Sequence, residues 1–548
     1  MNQFIRIEVL EERLTELMEQ EQAIYYLNQR LTVFVSLGNP TGRAQVHTFR
    51  GKRLSTIFQK IKTHLGERPS NYQWIKIDLA KNFQFCTFAE LNVRLQQTRK
   101  NYFRSGIAFD TRMECAFLEE ELNGNAMLTP DPDHPDLRIN LKNMTRYVEL
   151  QERSVPRMAF HPETRCITFE TTSVFEEDGS VVLQMNTTAE KIRDYQQQYD
   201  LTFEITSVVQ QAGRYLAKQV QQNGRFTYGY FPCFDKKIAY YNSLRHASTL
   251  YAMIEAYEVM PDIALRQAIE RAKAYLIDEL IVVQENRAYV VDWEPGEVKL
   301  GANAAAILAL TQYMKTFQVT DDLDVCRQLA TVILELQQAD GNFHHVLAYP
   351  DLTLKEAFRI VYYEGEATFA LLRLYEQDRD ERYLTAVVDA FDYFLEHEYW
   401  KYHDHWLSYS VNELTKHRPD DRYYTFGLQN VAPKLTFIHD RETTYPTFLE
   451  LMLAARDMII RIQTQGRQVL LENFPLEQLE QTIERRMHYQ LNGFFYPEVA
   501  MYMKRPERIL GSFYIRHHSF RVRIDDVEHN LSGYCQVLRS NRKEVELR

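Results

Sequence analysis

Two carboxylates separated by one glycine mark the segment of the chain best suited to acid/base chemistry, residues 362–366 (YYEGE). A neighbouring carboxylate raises the pKa of an acid, so either Glu364 or Glu366 can hold a proton and donate it. We predict both as catalytic residues, with Tyr363 beside them as a substrate contact. The structural alternative is a helix that begins here, with Glu366 in its first turn.

A second segment, residues 402–406 (YHDHW), places histidines on both sides of an aspartate. A carboxylate can hold an imidazole in one tautomer, so we predict His405 as a catalytic general base beside Asp404. Trp406 offers a flat surface on which a sugar ring can stack. The spacing of His403 and His405 also suits a metal ion, but the sequence assigns no third ligand. We therefore expect no metal and no cofactor.

The third segment, residues 521–529 (RVRIDDVEH), combines two aspartates with a histidine. If a helix begins at the aspartates, then Asp525 or Asp526 lies one turn from His529 and faces the same cavity. We predict Asp526 as a catalytic partner and His529 as a substrate contact. Paired aspartates also occur in prenyl-diphosphate enzymes, but this chain lacks their fuller aspartate-rich pattern.

Five further residues precede or begin predicted helices and are candidates for substrate binding: Arg245, His246, Asp292, Trp293 and Asn303. Arg245 can hold an anionic group such as a uronate, and Trp293 can form a platform. For Asp292, a salt-bridged loop is an equal alternative. Asn and Asp are also ordinary helix N-caps. Histidine and arginine are not, because the positive end of the helix dipole disfavours their charge.

A repeat defines the elements that must position these residues. From about residue 200 the chain returns to helices that are apolar nearly all round, with copies that begin at Arg245, Ala302, Gly365, His405, Thr443 and Asp525. Six amphipathic helices complete the pattern, at about 203–222, 264–280, 323–338, 382–397, 421–432 and 476–490. An all-apolar helix must be buried and a one-sided helix must lie outside it. The alternation predicts an inner ring of six helices wrapped by an outer ring.

Residues 200–540 therefore resemble an (α/α)6 toroid, the scaffold of six-hairpin glycosidases and N-acylglucosamine 2-epimerase-like enzymes. The turns at 223–226 (NGRF) and 340–343 (DGNF) are similar to those of this superfamily, and also to those of terpenoid-cyclase toroids. In such toroids the N-terminal ends of the inner helices meet at one mouth. The resemblance implies that the candidate residues share a funnel in an enzyme that acts on a sugar or a polysaccharide-derived oligosaccharide.

The first third of the chain mixes strand and helix patterns, with strands at 32–37 and 74–79 and helices at 54–65 and 91–103. This mixture is typical of an α/β or an α+β unit. Residues 129–135 (TPDPDHP) are typical of a loop. Residues 165–172 and 180–185 indicate a β-hairpin that turns at Asp-Gly. We predict a mainly α protein, with an α/β domain over residues 1–195 and the toroid over residues 196–548.

Composition and charge narrow the function classes. The chain has 548 residues, of which 45% are hydrophobic and 25% charged, as in a folded globular protein. A net charge of −11 argues against nucleic-acid binding. Six isolated cysteines indicate neither a cysteine zinc site nor a disulfide scaffold, and no signal or membrane-span pattern is present, so we expect a soluble cytoplasmic protein. P-loop, dinucleotide, serine-hydrolase and zincin motifs are absent.

Three functions remain open. Hydrolysis would use Glu364 or Glu366 as the acid/base residue. Asp526 or His405 would then be its partner. If two histidines flank the sugar, epimerisation by proton abstraction is the alternative, with His246 and His405 as the pair. The third possibility is a non-catalytic polysaccharide-binding or scaffold protein of a cell-envelope pathway, whose N-terminal domain docks a protein partner.

Overall fold

The computed structural model describes residues 3–66, 72–131, 134–151, 161–177, 183–185 and 200–546. The chain forms two compact units. The N-terminal unit comprises Met1–Tyr199, Gly229–Ile238 and Leu491–Val522, and the helical unit comprises Asp200–Tyr228, Ala239–Gln490 and Arg523–Arg548.

The α-helices of the described residues are, in chain order, α1 (Gln3–Gln20), α2 (Leu54–Gly66), α3 (Phe88–Gln96), α4 (Glu119–Gly124), α5 (Leu141–Leu150), α6 (Leu201–Gln219), α7 (Ser243–Val259), α8 (Ile263–Tyr275), α9 (Leu300–Phe317), α10 (Leu323–Leu336), α11 (Tyr362–Asp378), α12 (Glu381–Glu396), α13 (His405–His417), α14 (Asp421–Val431), α15 (Leu435–Asp440), α16 (Thr447–Thr464), α17 (Leu476–Gln490), α18 (Pro497–Ala500) and α19 (Ile524–Glu546). The strands are β1 (Leu31–Asn39), β2 (Gly42–Gly51), β3 (Trp74–Thr87), β4 (Gly106–Ala108), β5 (Ala116–Phe117), β6 (Leu128–Asp131), β7 (His134–Ile139), β8 (Arg165–Glu177), β9 (Leu183–Met185), β10 (Gly229–Phe231), β11 (Lys236–Lys237), β12 (Ile281–Gln284), β13 (Arg287–Asp292), β14 (Glu297–Lys299), β15 (Val346–Ala348), β16 (Leu354–Glu356) and β17 (Val522–Arg523).

The N-terminal unit is built on an antiparallel sheet of order β2-β1-β3-β8-β4-β5, with β9 paired to β8. Strand β1 is buried along almost its whole length because both faces of the sheet are covered. Val33 packs into an apolar cluster with Leu10 and Ile57 from helices α1 and α2. Phe34, on the opposite face, packs with Trp74 and the apolar residues around position 501.

The sequence predictions for this unit have mixed outcomes. Strands β1 and β3 and helix α2 are confirmed, and β8 pairs with β9 as the predicted hairpin requires, although its Asp-Gly turn lies outside the described residues. The helix predicted at 91–103 is α3, which ends at Gln96. The antiparallel pairing also makes this unit α+β and not a parallel α/β domain.

The loop prediction at residues 129–135 is wrong for 129–131 and 134–135, while residues 132 and 133 lie outside the described part of the chain. Strands β6 and β7 form a two-stranded antiparallel sheet there, in which Pro130 pairs with Leu137. Proline is tolerated because each strand of a two-stranded sheet has an unpaired edge, so a missing N–H need not interrupt a ladder.

The helical unit contains the predicted double ring. Helices α7, α9, α11, α13, α16 and α19 each contact the next one, and α19 contacts α7, so the inner ring closes. Helices α6, α8, α10, α12, α14 and α17 pack outside it, each against an inner neighbour. These contacts confirm the (α/α)6 arrangement expected from the repeat. Its physical reason is that a helix apolar on all sides is fully covered only in the inner ring.

Glycines fix the turns that follow two of the outer helices. Gly224 and Gly341 have φ angles of +89° and +92°. A Cβ on either glycine would lie 2.1–2.2 Å from a backbone carbonyl oxygen of the next outer helix. Phe226 and Phe343 follow these turns and are fully buried. The Asn-Gly and Asp-Gly motifs thus let each outer helix end against its neighbour.

No helix among the described residues is both long and apolar enough to cross a lipid bilayer. All six cysteines are buried free thiols.

Candidate active site

Polar side chains from the first two turns of the inner helices lie close together, and we call this group the basin. The basin is defined by six residues from helices α7, α11, α13, α16 and α19: Arg245, Glu366, His405, Glu450, Glu528 and His529. Helix α9 contributes Gly301, on which a Cβ would lie 2.0 Å from Oε2 of Glu366. The glycine leaves the space that this carboxyl group occupies.

Two histidines and a glutamate of the basin lie within 4.8 Å of one another, measured between one nitrogen or oxygen of each. The rings of His405 and His529 lie edge to face with centroids 5.2 Å apart. Nδ1 of His529 lies 3.1 Å from Oε2 of Glu450, and the Tyr409 hydroxyl donates to Oε1 of the same carboxyl group at 3.1 Å. Burial raises the pKa of Glu450 to about 8, against the opposing charge of His405. The pair His405 and His529 is therefore held by groups from three helices.

Asp404 orients His405. It caps helix α13 by accepting the backbone N–H groups of Trp406 and Leu407, and its Oδ1 also lies 3.1 Å from Nδ1 of His405. A carboxylate at this distance favours a proton on Nδ1 and leaves the lone pair on Nε2. That Nε2 atom is buried and has no hydrogen-bond partner among the described residues.

Glu366 is a buried acid, and one of its carboxylate oxygens has no hydrogen-bond partner within the described parts of the chain. Burial raises its pKa well above 4.5, and the negative charges of Asp404, Glu528 and Glu364 raise it further, whereas Arg245 lowers it. Glu366 therefore carries a proton at pH values where an exposed glutamate is ionised.

Glu364 does not share the space of Glu366. Its Oε1 lies 3.0 Å from Nε2 of His345. Nδ1 of His345 accepts the backbone N–H of Arg359, so Nε2 carries the hydrogen and donates it to Glu364. Burial raises the pKa of Glu364, and this hydrogen bond lowers it. The two glutamates of the predicted pair therefore lie in different surroundings. Glu366 is an acid of the basin, whereas Glu364 joins α11 to His345, the residue before β15.

The two aspartates at the start of α19 are held by arginines. Asp526 accepts the backbone N–H of Arg523 at 3.0 Å, and the Arg523 guanidinium lies 2.9 Å from Asp525 and 3.1 Å from Asp526. Nε of Arg245 lies 3.5 Å from Asp525. Asp525 therefore contacts Arg245, and the catalytic role predicted for Asp526 stays a prediction.

His246 and Asn303 face the outer ring. Nε2 of His246 lies 2.9 Å from the carbonyl oxygen of Ala272 in α8, and burial lowers its pKa to about 4. The amide of Asn303 bonds to the backbone of Val290 and Ala288 in β13. Both side chains are fully buried. The structure therefore brings neither of them to the basin, and the proposed pairing of His246 with His405 is wrong in its geometry.

Asp292 follows the structural alternative, and the platform role of Trp293 stays a prediction. Asp292 accepts the backbone N–H of Ser243 at 2.6 Å, which caps α7, and forms an ion pair with Lys299. Trp293 is 55% exposed and donates its ring N–H to the carbonyl oxygen of Glu279.

The two remaining predicted contacts pack under the basin. Tyr363 lies against Gly301 and the ring of His345. Trp406 is 3% exposed and its ring lies near those of Phe369 and His529. A fully buried tryptophan supports its neighbours and offers no free face for stacking.

The sequence analysis missed two basin residues and one residue that contacts Glu364. Glu450 lies inside the fifth apolar helix (FLELMLAA), where a carboxylate among apolar residues was the available signal. Glu528 precedes His529 and interrupts α19 in the same way. His345 follows the DGNF turn, and nothing in its spacing indicates a contact with α11.

Sequence comparisons find no matching protein-family model, and a comparison with curated proteins finds no match either. Solved structures do match. One is cellobiose 2-epimerase from Bacillus thermoamylovorans, at 14% identity and a TM-score of 0.48 over 62% of this chain and 99% of that one. Another is a D-mannose isomerase, at 8% identity and 0.48 over 63% and 100%.

A family 76 glycoside hydrolase from a bovine Bacteroides thetaiotaomicron strain also matches, at 8% identity and a TM-score of 0.44 over 86% of this chain and 97% of that one. All of these TM-scores are below 0.5. The function proposed below therefore rests on the side chains of the basin.

Proposed function

We propose that the helical unit is a sugar epimerase or isomerase that moves a proton at the carbon next to a carbonyl group. The observation that carries this proposal is the pair of imidazoles, His405 and His529, whose ring centroids lie 5.2 Å apart in the basin. Each ring has a carboxyl group beside one nitrogen, Asp404 for the first and Glu450 for the second. Two oriented imidazoles are what a reversible proton transfer requires, one to take the proton and one to return it.

The lone pair on Nε2 of His405 is the base in this proposal. It takes the proton from the carbon, and the C–H electron pair forms the carbon–carbon double bond of an enediolate while the carbonyl oxygen becomes negative. His529, which is protonated at the start, gives its own proton to one of the two carbons, and exchange with solvent then resets both imidazoles. Because the two rings contact each other, they lie on the same side of the sugar, and the epimer forms when the intermediate turns its other face toward His529. Protonation of the neighbouring carbon gives the isomer, with a proton moving from the hydroxyl oxygen to the former carbonyl oxygen.

Arg245 and Glu366 support the charge that develops on oxygen. A protonated Glu366 can donate a hydrogen bond to that oxygen. The guanidinium N–H groups of Arg245 can also donate to it, while neighbouring carboxylates offset most of the arginine's charge.

Neutral sugars fit this basin better than the uronates expected from the sequence. Arg245 contacts Asp525 and lies close enough to Glu366 and Glu528 for their charges to raise its pKa. Its positive charge is therefore largely balanced within the protein, and little of it remains for an anionic substrate.

Glycoside hydrolysis is the second candidate, because burial raises the pKa of Glu366 as a general acid requires. Asp525 or Asp526 would then activate water. The ion pairs with Arg523 engage both aspartates, which makes this candidate the weaker one.

A deuterium-exchange experiment tests the first proposal. The protein is incubated in D2O with a panel of neutral aldoses, ketoses and reducing disaccharides, and incorporation at the carbon next to the carbonyl is followed by NMR. We expect His405→Asn and His529→Asn to lower the exchange rate by at least about 100-fold. His403→Asn is the matched control, because its imidazole contacts the Asn430 carbonyl oxygen outside the histidine pair and its positive φ suits asparagine.

Glu366→Gln separates the two candidates. The amide keeps a hydrogen-bond donor but has no acidic proton, so it should reduce deuterium exchange modestly and abolish any hydrolysis of oligosaccharides. Loss of hydrolysis with no exchange in the wild type would favour the glycosidase. Oligosaccharide binding with neither reaction would favour the non-catalytic alternative.

A further inference from the structure

His405, Glu450 and His529 also form a group with the chemistry of a transition-metal site. One nitrogen or oxygen from each residue lies within 4.8 Å of the other two, and all three residues are buried. They come from the inner helices α13, α16 and α19. Two imidazoles and one carboxylate are a common donor set for Zn²⁺, which leaves a fourth position for water or another ligand.

The surroundings of the group favour a metal ion. Asp404 lies beside Nδ1 of His405, and a carboxylate behind a histidine is the usual partner that directs the other ring nitrogen to a metal. That other nitrogen, Nε2, is the buried atom for which the described residues offer no hydrogen-bond partner. The Tyr409 hydroxyl donates to one oxygen of Glu450 and so holds the carboxyl group in place.

The ligand atoms of the three residues need to move only slightly closer together to bind one metal ion. Tetrahedral coordination at about 2.0–2.1 Å places ligand atoms about 3.3 Å apart. The oxygen of Glu450 and Nδ1 of His529 are already 3.1 Å apart. A nitrogen of His405 lies within 4.8 Å of a donor atom of each of the other two residues, so closing that gap is the remaining adjustment.

Another cluster lacks these advantages. Glu376, Glu413 and His417 also place donor atoms within 4.8 Å of one another. There Lys416 lies 2.7 Å from Glu413 and supplies the positive charge that a cation would bring. Neither Arg245 of the basin nor the neighbouring Arg523 has a described ion pair with Glu450.

We propose that His405, Glu450 and His529 bind one divalent transition-metal ion of the zinc type, and that the bound ion switches off proton transfer. Coordination uses the lone pair of His405 that would act as the base, so metal and catalysis exclude each other. The inhibition rests on the proposed function, whereas the binding does not.

Metal binding is tested on the full chain after treatment with EDTA. Zn²⁺ binding is measured by calorimetry and by metal analysis after dialysis, and Co²⁺ is used as a visible-absorption probe of coordination geometry. We expect one Zn²⁺ per chain and a tetrahedral Co²⁺ spectrum. His405→Asn and Glu450→Gln should each weaken binding at least tenfold, and His403→Asn should leave it unchanged.

The outcomes separate the two parts of the proposal. Absence of stoichiometric binding, or binding that survives both His405→Asn and Glu450→Gln, overturns the metal site. Far-ultraviolet circular dichroism of each variant distinguishes loss of ligands from loss of folding, and Glu450→Gln serves if His405→Asn does not fold. Zn²⁺ should abolish deuterium exchange and EDTA should restore it; activation by Zn²⁺ overturns the switch. A protein that binds Zn²⁺ but exchanges no deuterium with any sugar refutes the epimerase proposal and the switch, while the metal site stands.

Discussion

The buried carboxyl group of Glu366 links the stability of the helical unit to pH. Its pKa is raised from 4.5 in the folded protein, so above pH about 4.5 the unfolded chain loses this proton while the folded chain keeps it. The free energy of unfolding therefore falls as pH rises, until the folded group also ionises. Glu366→Gln does not titrate, so its stability relative to the wild type should increase with pH above about 4.5. Denaturant unfolding at several pH values measures this difference.

The control for this prediction is Glu285→Gln, in which the carboxylate is 88% exposed. It should shift unfolding equally at every pH. If Glu366→Gln shows the same flat difference, Glu366 is ionised in the folded protein and cannot act as a proton donor.

One residue separates a basin side chain from a structural one at the start of α7. Neighbouring residues on a helix point about 100° apart, so an alignment error of one position selects the wrong face. Arg245 faces the basin and His246 faces α8. The sequence could indicate the turn that carries the chemistry, but the direction of each side chain depends on how the helix is rotated in the ring.

At the scale of elements, the turn at Gly341 should be intolerant of any side chain. Alanine there would place its Cβ 2.2 Å from the carbonyl oxygen of Asp389, at a φ of +92°. We expect Gly341→Ala to destabilise the helical unit by about 2–5 kcal/mol, the sum of backbone strain and overpacking. Urea unfolding followed by circular dichroism measures the loss.

Gly466→Ala is the matched control. This glycine also has a positive φ, +72°, but no atom of the described residues lies within 4 Å of the position that a Cβ would occupy. It should cost only the conformational strain, about 1–2 kcal/mol. If the two variants lose the same free energy of unfolding, the glycine of the DGNF turn is needed for its backbone conformation alone and not for close packing between the outer helices.

The helices could be predicted because their signal is local. Helices α10 and α12 have one apolar face, as helices of the outer ring need, and α9 is apolar and buried along its length, as a helix of the inner ring needs. Strands β6 and β7 could not, because proline and aspartate indicate a loop unless the partner strand is known. His345 was missed for the same reason, since its contact with Glu364 depends on tertiary packing.

At the scale of the whole molecule, the N-terminal unit depends on a late part of the chain. Residues 491–522 belong to this unit. Met501 is buried in a cluster with Trp74, and the Tyr502 hydroxyl hydrogen-bonds to Ser36 at 2.8 Å. A fragment of residues 200–548 leaves this segment without its sheet, so we expect it to aggregate and to bind a hydrophobic dye, as measured by size-exclusion chromatography and fluorescence.

Ser36→Ala in the full chain is the control for this prediction. It removes one hydrogen bond and should cost about 1 kcal/mol without aggregation. A monomeric 200–548 fragment with no dye binding would mean that residues 491–522 need no sheet to cover them.

The order of segments along the chain bears on how the molecule is made. Residues 491–522 leave the ribosome before α19, and α19 is the helix that completes the inner ring against α7. A nascent chain can thus finish its β-sheet while the ring is still open. His405 lies in α13 and His529 in α19, so the two imidazoles of the proposed pair come together only after α19 has been made.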